Sequence, residues 1–207
     1  MHPSDADACP AGYFLLARRF AICHIDAVKW IARILGFVIL LLALLIAISF
    51  ALPAQMTHKR VIILKQTPEK VFAVLSDVEK LPTWNRNLQK VEMLPPLDGK
   101  ETTKQTAKDG RTMTVVTMES LPPTHLVRVV RGVSGNAFSG SWTYEITPTT
   151  DGCEVALTEK SYIRNPIFRL MVRLFGSTRY IDQHLVDLAK HFGETPTLRA
   201  NATPARR

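Results

Sequence analysis

The sequence holds few groups suited to familiar catalytic chemistry. Its three cysteines, Cys9, Cys23 and Cys153, are too few and too scattered for a disulfide framework or a thiolate metal site. A glycine-rich phosphate loop and a serine nucleophile motif are missing. The six histidines have no partners at metal or triad spacing, and read as surface residues; His184 and His191 stand seven apart with no glutamate between them. The reading is therefore no metal and no cofactor. A block of single-sign charge is absent from the central region too. Residues 58–194 carry nineteen Lys/Arg against fifteen Asp/Glu, with the signs interspersed, which argues against a nucleic-acid surface. Residues 195–207 add three arginines and no acid, so 194–207 reads as a disordered basic tail.

What is present begins with a long uncharged run. The nineteen residues from Ile34 to Leu52, "ILGFVILLLALLIAISFAL", contain no charge. As a helix they extend about 28 Å, against the ~30 Å hydrocarbon core of a bilayer. A buried helix of that length would normally carry a polar stripe, and only Gly36 and Ser49 interrupt this one. Residues 34–52 are read as a transmembrane helix and an uncleaved anchor, although Ser49-Phe50-Ala51 also resembles a signal cleavage site. Lys29 and Arg33 abut its amino-terminal end, and the positive-inside bias places the following domain on the extracytoplasmic side. Residues 1–33 form a leader without a clear pattern, and Val28 is a candidate for the true start.

Beyond the run, "HKRVIILKQ" reads as a strand. Thr67 is placed as the cap of a helix with Pro68 at its first position, packed through Val71, Phe72 and Leu75. Asp77 is placed as the cap of a second short helix limited by Pro82, with Leu81 and Trp84 as anchors. Alternating segments follow at short spacing, separated by Asp98-Gly99, Asp109-Gly110, Pro122-Pro123 and Asp151-Gly152, the pattern of an antiparallel meander. In "FSGSWTYEI", Phe138, Gly140, Trp142, Tyr144 and Ile146 share one face. Asn165 and Pro166 open a final helix of about 26 residues, read as continuous through Gly176 because one 3.6-residue apolar phase persists. Arg169, Arg173 and Lys190 lie opposite that stripe. A curved sheet with a long amphipathic helix across it leaves room for an apolar cavity.

This order resembles the START-like or SRPBCC superfamily, in its polyketide cyclase/dehydrase-like branch. The likeness is carried by "TPEKVFAVLSDVEKLPTWN", "WTYEITPTTDGCEVALTEKSYI" and "NPIFRLMVRLF", and covers about residues 58–193. It implies an α+β helix-grip fold: about seven antiparallel strands, two short helices after the first, and a long C-terminal helix. It also implies a hydrophobic ligand cavity between sheet and helix. Its candidate lining is Phe138, Trp142, Tyr144, Val155, Leu157, Glu159, Leu170, Leu174, Ser177, Thr178 and Ile181. Superfamily members include lipid, sterol and quinone binders as well as aromatic cyclases, so the fold leaves the function open. The expected partners are a hydrophobic small molecule and the bilayer, and the sequence does not specify an oligomeric state.

Two functional classes follow, beside a structural or interaction role without a ligand. The first is a membrane-anchored binding protein for a lipid-like, quinone or polyketide-like molecule. The second is a cyclase or dehydratase using Glu159, Tyr144 or His125 as acid–base groups. Glu159 shares the strand face of Val155, Leu157 and Ile163. If that face lines the cavity, desolvation raises its pKa; otherwise it is an exposed strand-end acid or a partner of Arg164.

Overall fold

The computed structural model describes residues 12–133, 138–175 and 178–200, with the side chains of 12–28, 132–133, 138 and 200 outside that description. The chain divides into two compact units between Ile48 and Ser49. Helix α1 runs Gly12–Ala51. Its segment Lys29–Ala51, 23 residues, is long and apolar enough to cross a membrane, and its length and position suit a signal sequence equally.

The second unit is an eight-stranded antiparallel sheet. Its strands are β1 (Gln55–Leu64), β2 (Leu88–Leu97), β3 (Lys100–Ala107), β4 (Thr112–Leu121), β5 (His125–Val133), β6 (Phe138–Thr149), β7 (Gly152–Ile163) and β8 (Leu198–Ala200). They pair in the order β2-β3-β4-β5-β6-β7-β1-β8. The meander from β2 to β7 is sequential, and β1 returns to pair with β7 from Gln55↔Tyr162 to Leu64↔Cys153. Within the segment expected as a disordered tail, residues 198–200 form a strand, and 201–207 lie outside the described residues. Leu198–Ala200 pairs with the free edge of β1, where unpaired backbone groups would otherwise face water, and Leu198 packs against the core.

Helix α2 (Pro68–Ser76) starts on Pro68 after an extended Thr67, whose side chain makes no capping bond. Helix α3 (Leu81–Trp84) takes Pro82 into its first turn, so the proline starts this helix and does not end it. Asp77 holds the approach to α3 by accepting from the Lys80 backbone at 3.3 Å and from Lys80 Nζ at 2.6 Å.

The C-terminal helical region comprises α4 (Pro166–Phe175) and α5 (Arg179–His191), with Thr178 in a turn and Gly176 and Ser177 outside the described residues. The apolar phase read as one stripe has two environments. On α5, Ile181, Leu185 and Leu188 are fully buried against the sheet. On α4, Ile167, Met171 and Leu174 are exposed, while Arg169, expected on the solvent side, is buried. The Arg169 guanidinium explains the inversion. It donates to the carbonyls of Ile163 (3.1 Å), Leu52 (2.6 Å) and Arg164 (3.2 Å), which turns the basic side of α4 toward the domain.

Candidate functional site

The inner face of the sheet, toward α5, follows directly from strand alternation. Val155, Leu157, Glu159, Ser161 and Ile163 of β7 are all buried, as are Trp142, Tyr144 and Ile146 of β6. Apolar residues fill most of this face. One cross-strand row does not follow that pattern. The register aligns Thr117 with Arg128, Arg128 with Trp142, Trp142 with Glu159, and Glu159 with His58. Successive residues of the row sit about 4.8 Å apart across the strands, so a buried guanidinium and a buried carboxyl flank one indole.

Among the described residues, neither ionisable group makes a salt bridge. Trp142 Nε1 donates to Glu159 Oε1 at 3.1 Å. Burial raises the Glu159 pKa, and this single hydrogen bond opposes the shift only in part. Arg128 Nη2 donates to the Leu75 carbonyl at 2.7 Å, yet its buried Nε has no hydrogen-bond partner. A buried charge without an ion partner is costly, so a row of this kind needs an explanation.

Beside the row, a second polar chain crosses from α3 to the sheet. Asn85 Nδ2 lies 3.0 Å from His184 Nδ1, and His184 Nε2 lies 3.0 Å from the Tyr144 hydroxyl. Asn85 Oδ1 already accepts the Asn87 backbone N–H at 3.0 Å. Its NH₂ group is therefore the donor to His184 Nδ1, and Nε2–H donates to the Tyr144 oxygen. That assignment leaves the Tyr144 O–H free to donate elsewhere. Burial lowers the His184 pKa to about 4, with Arg128 adding to the effect. Burial also pushes the Tyr144 phenol up to about 12. Both groups are neutral at pH 7, and the phenol is a hydrogen-bond donor, not a base.

The elements hold this chain firmly. Asp187 of α5 accepts from Arg86 Nε at 2.7 Å and from the Arg86 backbone at 3.0 Å, clamping the residue after Asn85. Trp84 covers His184 with ring centroids 5.1 Å apart. Tyr180 stacks on Trp142 at 5.6 Å and 22°.

Two open clefts reach the ends of the polar row. One, of about 400 Å³, is lined by Gln55, Met56, Thr57, His58 and Arg173. Here His58 Nε2 is buried without a partner, and its pKa is lowered by burial and then by Arg60 and Arg173. The other, about 320 Å³, includes Arg128, Thr117, Leu126 and Ser76 in its walls.

Of the residues read from sequence, the structure gathers Trp142, Tyr144, Val155, Leu157, Glu159 and Ile181 in one buried region. Leu170 is half-buried, whereas Leu174 is 65% exposed and points away from the core. Thr178 donates to Asp182 Oδ2 and accepts from Arg60 Nη2 at the edge of α5. Ser177 lies outside the described residues, as does the Phe138 side chain. His125 stands apart from this group, at the start of β5, 3.3 Å from Glu119 Oε2. His184, Asn85, Arg128 and His58 were missed. The alternation of "HLVRVVRG" signals Arg128, since it shares the face of Leu126 and Val130. His184 shares the helical phase of Ile181 and Leu188, a signal outweighed by the assumption that an unpaired histidine is exposed.

Residues 55–193 match the model of a protein family described as polyketide cyclase / dehydrase and lipid transport. No curated protein sequence matches the chain. Among solved structures, a conserved protein from Geobacillus kaustophilus aligns with a TM-score of 0.54 at 16% identity, over 70% of this chain and 99% of that one. The Zhui aromatase/cyclase from Streptomyces sp. R1128 aligns at 0.54 and 14% identity, over 66% and 92%. The di-domain aromatase/cyclase StfQ of the steffimycin biosynthetic pathway aligns at 0.56 and 13% identity, over 68% of this chain and 53% of that protein. At these identities the likeness is one of fold.

Proposed function

Because the chain belongs to the polyketide cyclase / dehydrase and lipid transport family, we propose that its helix-grip domain binds an apolar small molecule bearing an oxygen function. The molecule sits between the inner face of the sheet and α5, against Trp142, Tyr144, Val155, Leu157, Glu159 and Ile181, while Lys29–Ala51 anchors the protein in a membrane. The observation that carries this reading is the buried Arg128–Trp142–Glu159 row. Apolar walls supply affinity through burial. The unpartnered Arg128 Nε–H and the Tyr144 O–H are donors for a carbonyl or hydroxyl oxygen. Burial shifts Glu159 toward its uncharged form, which suits an uncharged oxygen function better than a charged headgroup.

A second reading makes the same site a cyclase or dehydratase. It is favoured by the Asn85–His184–Tyr144 chain, which leaves a phenol proton free to donate to a carbonyl oxygen, beside a carboxyl of raised pKa. Native mass spectrometry of the detergent-purified full chain separates the readings. A co-purifying apolar, oxygen-bearing molecule supports binding, and Arg128→Met should reduce its occupancy about tenfold, the effect of one lost hydrogen bond to a charged donor. Glu159→Gln should retain the molecule unchanged if the protein is a binder. If it is an enzyme, the same variant should accumulate an unconverted precursor. A full chain that purifies empty from its native membrane overturns both.

A further inference from the structure

Helix α4 is built inside out for a protein surrounded by water. Its ten residues, "PIFRLMVRLF", have Ile167, Phe168, Met171, Leu174 and Phe175 exposed, with Phe175 at 76%. At 100° per residue these five fall within one arc, and Arg169 and Arg173 fall opposite. In a water-soluble surface helix the apolar arc would face the core and the arginines the solvent. Here Arg169 is buried and the apolar arc is outside. Covering that arc with the core would require breaking three guanidinium–carbonyl bonds.

We infer that α4 lies in the headgroup–acyl boundary of the bilayer, with its apolar arc inserted. Three observations identify the bilayer as the occupant. Arg169 Nη1 bonds the carbonyl of Leu52 at 2.6 Å, and Leu52 directly follows the apolar run that ends α1 at Ala51. If that run spans the membrane, the chain emerges at Leu52, and α4 is tied within one hydrogen bond of the emergence point. The segment 160–179 carries four exposed cations, Lys160, Arg164, Arg173 and Arg179, and no acid, a charge pattern that suits anionic headgroups. Tyr162, an amphipathic side chain of the kind found at membrane interfaces, is exposed beside α4 at the end of β7.

This inference rests on the anchoring proposed above and deepens it. The cleft lined by Met56, His58 and Arg173 borders α4, and His58 pairs across the sheet with Glu159. The cleft beside α4 therefore ends on the residue that opens the polar row.

The test uses the full chain with Cys9→Ser and Cys23→Ser, reconstituted into phosphatidylcholine–phosphatidylglycerol vesicles. Cys153 is buried and stays unlabelled. An NBD fluorophore is placed at Leu174→Cys or, as a control, at Thr150→Cys in the turn at the far end of the β6–β7 hairpin. Nitroxide-labelled lipids should remove most of the emission at position 174 and leave that at 150 unchanged, with the protein resisting alkaline carbonate extraction. Resistance to carbonate without quenching at 174 overturns the docking of α4 and leaves the anchor standing. So does shielding of position 174 accompanied by crosslinking to a second copy. Extraction by carbonate overturns the anchor, and the docking with it.

Discussion

Burial acts on Glu159 and His184 in the same direction, toward the neutral form, and so gives them opposite effects on the pH dependence of stability. The folded domain keeps the Glu159 proton to a higher pH than the unfolded chain does. Between the unfolded and folded pKa values it binds more protons, so this group's contribution falls as pH rises through that window. His184 binds its proton only near pH 4 when folded, against 6.5 when free. Its contribution is complete above pH 6.5 and is lost as pH falls toward 4, at most on the order of 3 kcal/mol. Thermal melts from pH 7 to pH 4 should show two outcomes. Glu159→Gln should raise the Tm at pH 7, with the gain vanishing near pH 4. His184→Gln should lower the Tm at pH 7 and flatten the acid-side loss between pH 6.5 and 4. The inward phase of Glu159 was legible as one of two alternatives, since alternation places it with Val155 and Leu157. The His184 environment was not. It depends on Asn85, 99 residues away, and no local pattern encodes that meeting.

At the scale of elements, the turn of the β6–β7 hairpin is fixed by a close approach to β1. Gly152 has φ +151, and a Cβ there would overlap the Leu64 carbonyl oxygen, at the end of β1. Gly152→Ala should therefore cost about 3 kcal/mol through combined strain and overlap, read as a shift in the urea midpoint at unchanged slope. The strands of this hairpin were readable because period-two alternation is local and Asp151-Gly152 marks the turn. The C-terminal helical region was less readable for a physical reason. A 3.6-residue phase reports which residues share a face, not which medium that face meets. Leu174 and Leu185 share a phase, yet one is exposed and the other fully buried. The difference arises from Arg169, whose carbonyl partners on Leu52, Ile163 and Arg164 are set by tertiary structure. Strand β8 was missed similarly: "LRA" is too short to show a pattern and is a strand because the β1 edge beside it is open.

For the whole molecule, the distinction between anchor and signal sequence is one of covalent length. Lys29–Ala51 satisfies both descriptions by composition. Intact mass of the chain recovered from the membrane fraction should include the apolar run, as an uncleaved anchor requires. A mature chain beginning at Leu52 would show removal as a signal and would leave α4 without a tether. The family match starts at residue 55, so the segment that decides residence is separate from the segment that decides the fold.

The return of β1 to pair with β7, one strand in from the end of the sheet, also sets an order of events during synthesis. Its partner β7 lies roughly a hundred residues later, so the β1 ladder closes a large loop, among the slowest kinds of contact to form. β1 leaves the ribosome directly behind the apolar run and must wait, with both edges unpaired, until β7 and then β8 have been made. During that interval the nascent chain carries an exposed "VIIL" strand; under the anchoring proposed above, the tether would hold that strand beside the bilayer and keep it from meeting other unfinished chains in bulk solution.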